Sequence, residues 1–417
     1  MGTDFVVLGT YPPTQCGLAT FSAALLGDLP GPGDRVGVVR VLDEPAPDMP
    51  PPVVHDLVNG TVGAAEDAAA VMNRFGVAII QHEYGIYGGP DGADLLPLMN
   101  ALTVPPIVVL HTVLAEPDPW QKMILGEVIA AASAVVTMTE TGRQRVLDQY
   151  GTDPAKVTVI PHGAATYWAS ARPADTAAAY WQRLGLPARL PTRLPGRLPG
   201  ILTWGLIGPG KGIEHAIDAI ALLRDEGIRV RYTIAGETHP KVRARSGEAY
   251  RRSLQDRVAR LGVLDLVRFD DRYLAPRALA RLVRSAGTVL LPYDSAEQVT
   301  SGVLIEAVAA GKPVVATGFP HAVELLSGGA GLLVGRHDPA AIAAALRRVL
   351  TEPGQAALMA RHAAALAPGL LWPAVAAAYR ELAASLTGDL TAGLTSDLFG
   401  DLAAISAGIQ QAGAVTR

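Results

Sequence analysis

One segment combines the residue types from which proteins build a diphosphate site. Leu290–Thr317 reads LLPYDSAEQVTSGVLIEAVAAGKPVVAT, which predicts a strand, a polar loop and a helix. Thr300 or Ser301 can cap that helix, and Gly302 lets a ligand approach the backbone. Free amides and the positive end of the helix dipole attract phosphate there. Glu306, about one turn into the helix, can accept two hydrogen bonds from a ribose diol. An ordinary strand–helix turn explains the same letters equally well.

The elements that would position this segment are short apolar strands, which alternate with Ala-rich stretches of helical length. Continuous apolar runs are typical of parallel strands covered on both faces, so the alternation predicts an α/β protein. The first series of predicted strands is Phe5–Leu8, Val36–Leu42, Val77–Gln81, Ile107–His111, Ala134–Met138 and Val157–Pro161. The second series is Ile201–Gly205, Arg231–Ala235, Val267–Phe269, Val289–Pro292 and Val314–Thr317.

A proline-rich segment separates the two series. The residues LGLPARLPTRLPGRLPG at Leu184–Gly200 contain Arg-Leu-Pro three times at a four-residue spacing. Proline at that density continues neither a helix nor a central strand. We therefore expect one domain over residues 1–170, a Pro/Arg-rich linker over 171–200 and a second domain over 201–371. A helix that begins near Trp372 is expected to open a C-terminal segment, about 372–417, that packs back on the first domain.

Composition excludes several classes of protein. The chain has 417 residues, a formal net charge of −4 and 49% hydrophobic residues, which fits a globular protein and not a nucleic-acid binder that relies on positive charge. The single cysteine, Cys16, excludes an internal disulfide and fits a reducing compartment, so we expect a cytoplasmic protein. No histidine pair has a recognisable metal-ligand spacing, so we predict no metal. No signal peptide or transmembrane segment is evident, which leaves peripheral membrane contact open.

Several segments resemble, in the same order, those of the family-four retaining glycosyltransferases. They are GTYPPTQCGLATFSAAL, VVLHTV, KVTVIPHGA, WGLIGPGKGIEHAIDAI and the block EAVAAGKPVVATGFPHAVELLSGGAGLLVGRHDPAAIAAAL that begins at Glu306. The resemblance extends over most of the chain. It implies the α/β GT-B architecture, in which two Rossmann-like domains with parallel sheets face a central cleft. The N-terminal domain of such enzymes binds the acceptor, and the C-terminal domain binds the nucleotide-sugar donor.

The resemblance also implies roles for single residues. Lys211 matches the lysine that contacts the donor diphosphate, and Glu306 matches the glutamate that holds the ribose. Gly17 matches a loop glycine that lets amides approach phosphate, and His111 matches a histidine that faces the donor sugar. A solvated lysine and a buried structural histidine are the plainer interpretations. The remaining predicted donor contacts are Thr300, Ser301, Gly302, Val303, His321 and, with it, Glu324; His82, Glu83 and Tyr84 are expected to face the acceptor.

Two positions depart from the family pattern. The first glutamate of the Glu-x7-Glu pair is Gln298 here, which binds hydroxyl groups but carries no charge to stabilise an oxocarbenium ion. The usual arginine five residues before the lysine is Leu206. The substitute cations that the sequence offers are Arg272, His239 and Lys241. We take as candidate catalytic residues His111, Lys211, Gln298 and Glu306.

The resemblance implies transfer of a hexosyl group from a nucleotide-diphosphate sugar to a small molecule or glycan, with retention of configuration. UDP-linked and GDP-linked donors are both open, and neither a cofactor nor a metal ion is required. The alternatives are a glycoside phosphorylase, a sugar-nucleotide epimerase and a non-catalytic binder of sugar nucleotides. The acceptor and the oligomeric state stay open.

Overall fold

The computed structural model describes residues 2–169 and 198–388, which form two compact units. The first unit holds the chain up to Gly163 together with the segment that starts at Trp372, and the second unit holds the chain from Ala164 to Leu371. Most of the predicted linker, and the C-terminal tail after Gly388, lie outside the described residues. Among the helices that are described, none has the length and apolarity needed to cross a bilayer.

The first unit is built on a sheet of seven parallel strands in the order β3-β2-β1-β4-β5-β6-β7. The strands are β1 Phe5–Gly9, β2 Val36–Leu42, β3 Val53–Val58, β4 Val77–His82, β5 Pro106–Leu110, β6 Ala134–Thr137 and β7 Val157–Val159. Its helices are α1 Gly17–Asp28, α2 Ala64–Met72, α3 Leu95–Ala101, α4 Pro119–Ala131, α5 Glu140–Tyr150 and α15 Trp372–Thr387, with 3-10 turns at Pro90–Gly92 and Pro154–Lys156.

The C-terminal helix α15 packs on the first helix of the same unit. The Arg380 guanidinium donates to the carbonyl of Asp28 at 2.8 Å. The ring of Phe21 meets the indole of Trp372 edge-on, with centroids 4.9 Å apart. Trp372 is buried, so this helix contributes to the core of the first unit.

The second unit contains six parallel strands in the order β10-β9-β8-β11-β12-β13. They are β8 Gly200–Trp204, β9 Arg231–Ala235, β10 Val267–Asp270, β11 Thr288–Leu291, β12 Val314–Thr317 and β13 Gly331–Val334. Its helices are α6 Thr166–Ala169, α7 Ile213–Asp225, α8 Pro240–Ser246, α9 Ala249–Arg260, α10 Pro276–Ser285, α11 Gly302–Ala309, α12 Pro320–Leu326, α13 Pro339–Thr351 and α14 Gln355–Leu366, followed by a 3-10 turn at Ala367–Leu370.

The predicted α/β class with parallel Rossmann-like sheets is confirmed, but two strands were missed. Both missed strands, β3 and β13, lie at sheet edges. β3 has the polar residues His55 and Asp56 between its apolar ones, and β13 has only four residues. Asp56 is explained by a buried partner, because its carboxylate takes two 2.8 Å hydrogen bonds from the guanidinium of Arg40. β3 therefore lacks the continuous apolar run that marks the central strands. β13, with the sequence GLLV, is apolar throughout, so the polar interruption explains only the first of the two missed strands.

Candidate active site

In the second unit the strand order reverses between β8 and β11, and ligands of doubly wound sheets bind beyond the strand ends at such a point. Lys211 lies in the loop after β8, hereafter the lysine loop (residues 205–212). Its Nζ is 4.2 Å from the centre of the Tyr293 ring, which follows β11. Tyr293 is buried and stacks on Phe319, so a fixed aromatic face holds the ammonium in place. No carboxylate among the described residues forms a salt bridge with Lys211, which leaves its charge for an anion.

The helix after β11 starts at the same sheet edge. Ser301 is its N-cap, and the Ser301 Oγ accepts from the amide of Leu304 at 3.3 Å. The amide of Ser301 itself donates to Nδ1 of the buried His321 at 2.8 Å. The predicted amide site at Ser301–Val303 therefore comes down to Gly302 and Val303, whose amides belong to the helix turn that lacks internal acceptors.

A hydroxyl group adds to this helix terminus. Thr300 Oγ1 is buried and has no hydrogen-bond partner among the described residues. A buried hydroxyl without a partner is costly, so the atom is a donor that a ligand oxygen could satisfy. The Thr300 hydroxyl is thus a third potential donor beside the amides of Gly302 and Val303.

Glu306 is the fifth residue of α11, and its Oε2 accepts from the Trp204 indole Nε1–H at 3.2 Å. Burial raises the pKa of Glu306 to about 7, and the indole hydrogen bond opposes that rise. The pKa of the Tyr167 phenol in α6 is also raised, first by burial and then by the charge of Glu306. The carboxylate is thus hydrogen-bonded to the Trp204 indole in a buried position one turn into α11.

The predicted residue Gln298 braces the loop in front of α11. Its Nε2 donates to the carbonyl of Thr300 at 3.0 Å, and its own carbonyl accepts from the amide of His321 at 3.4 Å. A contact between Gln298 and a donor sugar stays a prediction, as does the sugar contact of His321.

Three residues, Arg272, His239 and Lys241, are the candidates to replace the cation that is missing at Leu206, and their surroundings differ. Arg272 is committed to Asp270 through two hydrogen bonds of 2.8 Å. The amide of His239 donates to the carbonyl of Ile207 in the lysine loop at 2.8 Å. Burial, and then the charges of Lys241 and Lys211, lower the pKa of His239, which places this ring in the field of both lysines. A lowered pKa favours the neutral imidazole, so His239 does not replace the missing cation, whereas the ammonium of Lys241 lies close enough to influence the same ring.

Gly212 fixes the path of the lysine loop, and we expect Gly212→Ala to lower the free energy of unfolding by about 1–3 kcal/mol. Gly212 has a φ of +61°, and a Cβ there would lie 1.8 Å from the carbonyl oxygen of Pro292. Gly227 is a matched control, because its φ is +80° but nothing lies within 4 Å of a Cβ. Chemical denaturation of both variants measures the difference. Equal losses for the two variants would show that the contact with Pro292 is unimportant.

In the first unit the strand order reverses between β1 and β4. His111 directly follows β5, the neighbour of β4, at the carboxyl edge of the same sheet. Its amide donates to the carbonyl of His82 at 3.1 Å, and its Nε2 lies 2.6 Å from Oε1 of Gln81. Burial lowers the pKa of His111 to about 3, with smaller contributions from the charges of His162 and His82. The imidazole is therefore neutral at physiological pH, and its Nε2 shares a hydrogen bond with the carboxamide of Gln81.

Gly17 is the exposed first residue of α1, and a Cβ at this position would meet nothing within 4 Å. The packing of the chain itself therefore does not demand a glycine here. Cys16 caps the same helix, since its Sγ accepts from the amide of Ala19 at 3.4 Å and lies 3.1 Å from the Thr10 hydroxyl. Cys16 therefore has a structural role as the N-cap of α1.

The acceptor-side residues of the prediction follow β4. Glu83 accepts a 2.6 Å hydrogen bond from the hydroxyl of Thr112, and the Tyr84 ring packs edge-on against His82. Two buried atoms, Gln81 Nε2 and His82 Nδ1, have no hydrogen-bond partner among the described residues. This edge of the sheet therefore contains polar groups that a polyhydroxylated ligand could satisfy.

The sequence did not single out Trp204 and Tyr293. Each is an aromatic residue at the carboxyl end of a strand beside the point of reversal, which is the one signal that could have found them. Their partners, Glu306 and Lys211, are distant in sequence, so only the strand order brings them together.

Two family models match the chain. Residues 17–166 match the model described as Glycosyltransferase Family 4, and residues 199–352 match Glycosyl transferases group 1. The chain belongs to glycosyltransferase family four. Within this family it is similar to the D-inositol 3-phosphate glycosyltransferase of Acidothermus cellulolyticus, with 34% identity over 290 residues. That match covers 67% of this chain and 59% of the relative, so the chain spans less than two thirds of the relative's length.

Solved structures show the fold of this family-four chain to be GT-B. HepE from Anabaena, in complex with UDP, aligns with a TM-score of 0.67 and 17% identity over 92% of this chain and 100% of HepE. The sucrose-phosphate synthase of Thermosynechococcus elongatus aligns with a TM-score of 0.68 and 18% identity over 93% of this chain and 100% of that protein. At such identities the likeness concerns the fold alone.

Proposed function

We propose that this protein is a retaining glycosyltransferase that moves a hexosyl group from a nucleotide-diphosphate sugar to the hydroxyl group of a carbohydrate or small molecule. The observation that carries the proposal is the arrangement in the second unit. Lys211, held on the Tyr293 ring, and the amide terminus of α11 lie at the reversal point of one sheet, with the Glu306 carboxylate one turn into that helix. The cation and the helix amides suit a diphosphate, and the carboxylate suits a ribose diol.

The donor is proposed to be a UDP-sugar. HepE, whose fold this chain shares, was determined in complex with UDP, which supports uridine without excluding guanosine. Lys211 and the amides of Gly302 and Val303 stabilise the negative charge of the diphosphate, so the proposal needs no metal ion or cofactor at this site. Residues 201–371 are proposed as the donor domain.

In the proposed reaction the bond between the anomeric carbon and the β-phosphate oxygen breaks, and its electron pair stays on the diphosphate. The acceptor oxygen attacks the same face of the sugar and forms the new glycosidic bond. Its proton passes to an oxygen of the departing diphosphate, so no side-chain nucleophile is required. Lys211 stabilises the charge that grows on the leaving group, and His111, neutral in the structure, serves to orient hydroxyl groups.

The acceptor is proposed to bind to the first unit, residues 1–170 with the helix that begins at Trp372. The groups at its reversal point are a neutral imidazole, a carboxamide, a threonine hydroxyl and the Glu83 carboxylate. These groups suit an uncharged polyol or sugar. The named acceptor of the Acidothermus relative carries a phosphate, and a carboxylate such as Glu83 disfavours one here.

A nucleotide screen tests the donor assignment. We expect UDP to raise the unfolding temperature and to bind in calorimetry, with a stabilisation of about 2.7 kcal/mol at a hundredfold excess over its dissociation constant. GDP and ADP are the comparison ligands, and a chelator should leave the affinity for UDP unchanged. Stabilisation by GDP alone would reassign the base, and no stabilisation by any nucleotide would overturn the donor site.

A second candidate, a non-catalytic binder of sugar nucleotides, is favoured by Gln298 and Leu206, where a charged acid and a cation are missing. It predicts UDP binding without turnover. Turnover, measured as release of UDP from UDP-glucose in the presence of a panel of polyols, would exclude this candidate even if the rate were low. The anomeric configuration of the product, determined by NMR, would test retention. Release of a sugar 1-phosphate that depends on inorganic phosphate would instead indicate a phosphorylase.

A further inference from the structure

The second unit brings two histidines and an aspartate together outside the residues assigned above. His215 lies in the first turn of α7, Asp294 follows β11, and His337 follows β13. Oδ1 of Asp294 lies 3.7 Å from Nε2 of His215 and 3.1 Å from Nε2 of His337. One ligand atom from each residue falls within 4.8 Å of the other two. We call these three residues the His–Asp–His cluster.

The spacing of the cluster fits a small divalent cation. Zinc binds histidine nitrogen and carboxylate oxygen at about 2.0–2.2 Å in a tetrahedron, so its ligand atoms stand roughly 3.3–3.5 Å apart. The two nitrogen–oxygen distances fall on either side of that value. The imidazole rings of His215 and His337 have centroids 5.0 Å apart and planes tilted by 30°. Small side-chain rotations would direct both nitrogens to one point.

A plain hydrogen-bonded cluster explains the carboxylate less well. Oδ1 of Asp294 is buried, and no donor among the described residues makes an aligned hydrogen bond to it, although an imidazole nitrogen lies 3.1 Å away. A buried carboxylate oxygen in this condition calls for a cation or a donor. His337 also has a φ of +57°, a conformation that few residues other than glycine adopt and that is often kept at ligand sites.

We propose that His215, Asp294 and His337 bind one divalent transition-metal ion of the zinc class, with solvent as the fourth ligand. Imidazole nitrogen and carboxylate oxygen are established zinc ligands. The side chain of His337 is 62% exposed, which provides the entry path and the open coordination position. The set contains one carboxylate and two neutral ligands, so a bound dication is only partly neutralised and holds its solvent ligand firmly.

The ion would act on structure and not on the proposed transfer reaction. His215 follows Lys211 and Gly212 at the start of α7, whereas Asp294 follows Tyr293 beyond β11. A metal bond between them would tie the lysine loop to the strand end against which Gly212 already packs. Metal binding itself does not depend on the proposed function.

Titration of the full-length, chelator-treated protein with zinc chloride tests the site. We expect one high-affinity equivalent in the wild type, an affinity at least about tenfold lower in His337→Ala and in Asp294→Asn, and no change in His362→Ala. His362 is a matched control, because it is an exposed histidine of the same unit on α14. Cobalt(II) should give the visible absorption bands of a tetrahedral site in the wild type and in His362→Ala, and not in His337→Ala or Asp294→Asn. Circular dichroism checks that each variant is folded.

Either of two results would overturn the proposal: no stoichiometric zinc binding by the wild type, or unchanged zinc binding by His337→Ala and Asp294→Asn. UDP binding, measured on the same samples, separates this inference from the proposed function. Zinc binding without UDP binding would contradict the donor site only, and UDP binding without zinc binding would contradict the metal site only.

Discussion

Replacement of Lys211 by alanine is expected to raise the dissociation constant of UDP and to lower kcat/KM by about 100- to 1000-fold, because the fixed cation that we propose to face the leaving diphosphate is lost. The ammonium is positioned by the buried Tyr293 ring and is not paired with a described carboxylate. Leu206 stands where the family pattern has a second cation, so we expect Lys211 to stabilise a larger share of the charge. Calorimetry with UDP and initial rates with a UDP-sugar measure the loss.

Two control variants make this result specific. Lys122→Ala removes an exposed lysine of the first unit and should leave UDP affinity unchanged. Tyr293→Leu keeps the charge at Lys211 but removes the ring beneath it, so UDP affinity should fall by a smaller factor, of roughly fivefold. A folded Lys211→Ala variant with wild-type affinity for UDP would contradict the assignment of the lysine loop.

The fold was largely predictable because its information is local. The central strands of both sheets are continuous apolar runs, and Val36–Leu42, Arg231–Ala235 and Val314–Thr317 have the bounds that the sequence predicted. The edge strand Val53–Val58 escaped prediction because Asp56 interrupts its apolar pattern. That interruption makes sense only with knowledge of Arg40, which the neighbouring strand buries beside it.

The candidate site was predictable only in part. The loop and helix around Ser301 and Glu306 gave a local signal, because a cap, a glycine and an acid follow one another in the chain. The hydrogen bond from the Ser301 amide to His321 and the one from the Trp204 indole to the Glu306 carboxylate gave no such local signal. The His–Asp–His cluster is the extreme case. Its three members come from separate strand–helix units, and only the order of the strands brings them within reach.

Glu306→Ala is expected to weaken UDP binding by about 10- to 100-fold, since two hydrogen bonds from a ribose diol to a charged acceptor would be lost. The control Glu352→Ala removes an exposed glutamate that pairs with Arg348 on the surface, and it should bind UDP as the wild type does. Deoxyuridine diphosphate lacks one ribose hydroxyl. The wild type should bind it more weakly than UDP, whereas Glu306→Ala should bind the two nucleotides equally well. Equal discrimination by both proteins would place the ribose elsewhere.

The pKa of Glu306 also predicts how stability depends on pH. Burial raises this pKa from 4.5 to about 7 in the folded state. A raised pKa means that the contribution to stability is full below pH 4.5 and is lost as the pH rises through 7, because the buried carboxyl must then ionise. The wild type should therefore lose more free energy of unfolding than Glu306→Gln between about pH 5 and pH 8, by up to about 3 kcal/mol.

Ligand binding should show the opposite slope, and this contrast tests the role of Glu306 most directly. The ionised carboxylate is the better acceptor for a ribose diol, so affinity for UDP-glucose should rise as the pH increases to 7 and level off above it, with roughly tenfold weaker binding one pH unit below the pKa. Glu306→Gln should bind with no such dependence. Trp204→Phe removes the indole donor that lowers the pKa of Glu306, so its profile should shift to higher pH while keeping its shape. A profile that stays unchanged in both variants would assign the titration to another group and leave Glu306 without a part in donor binding.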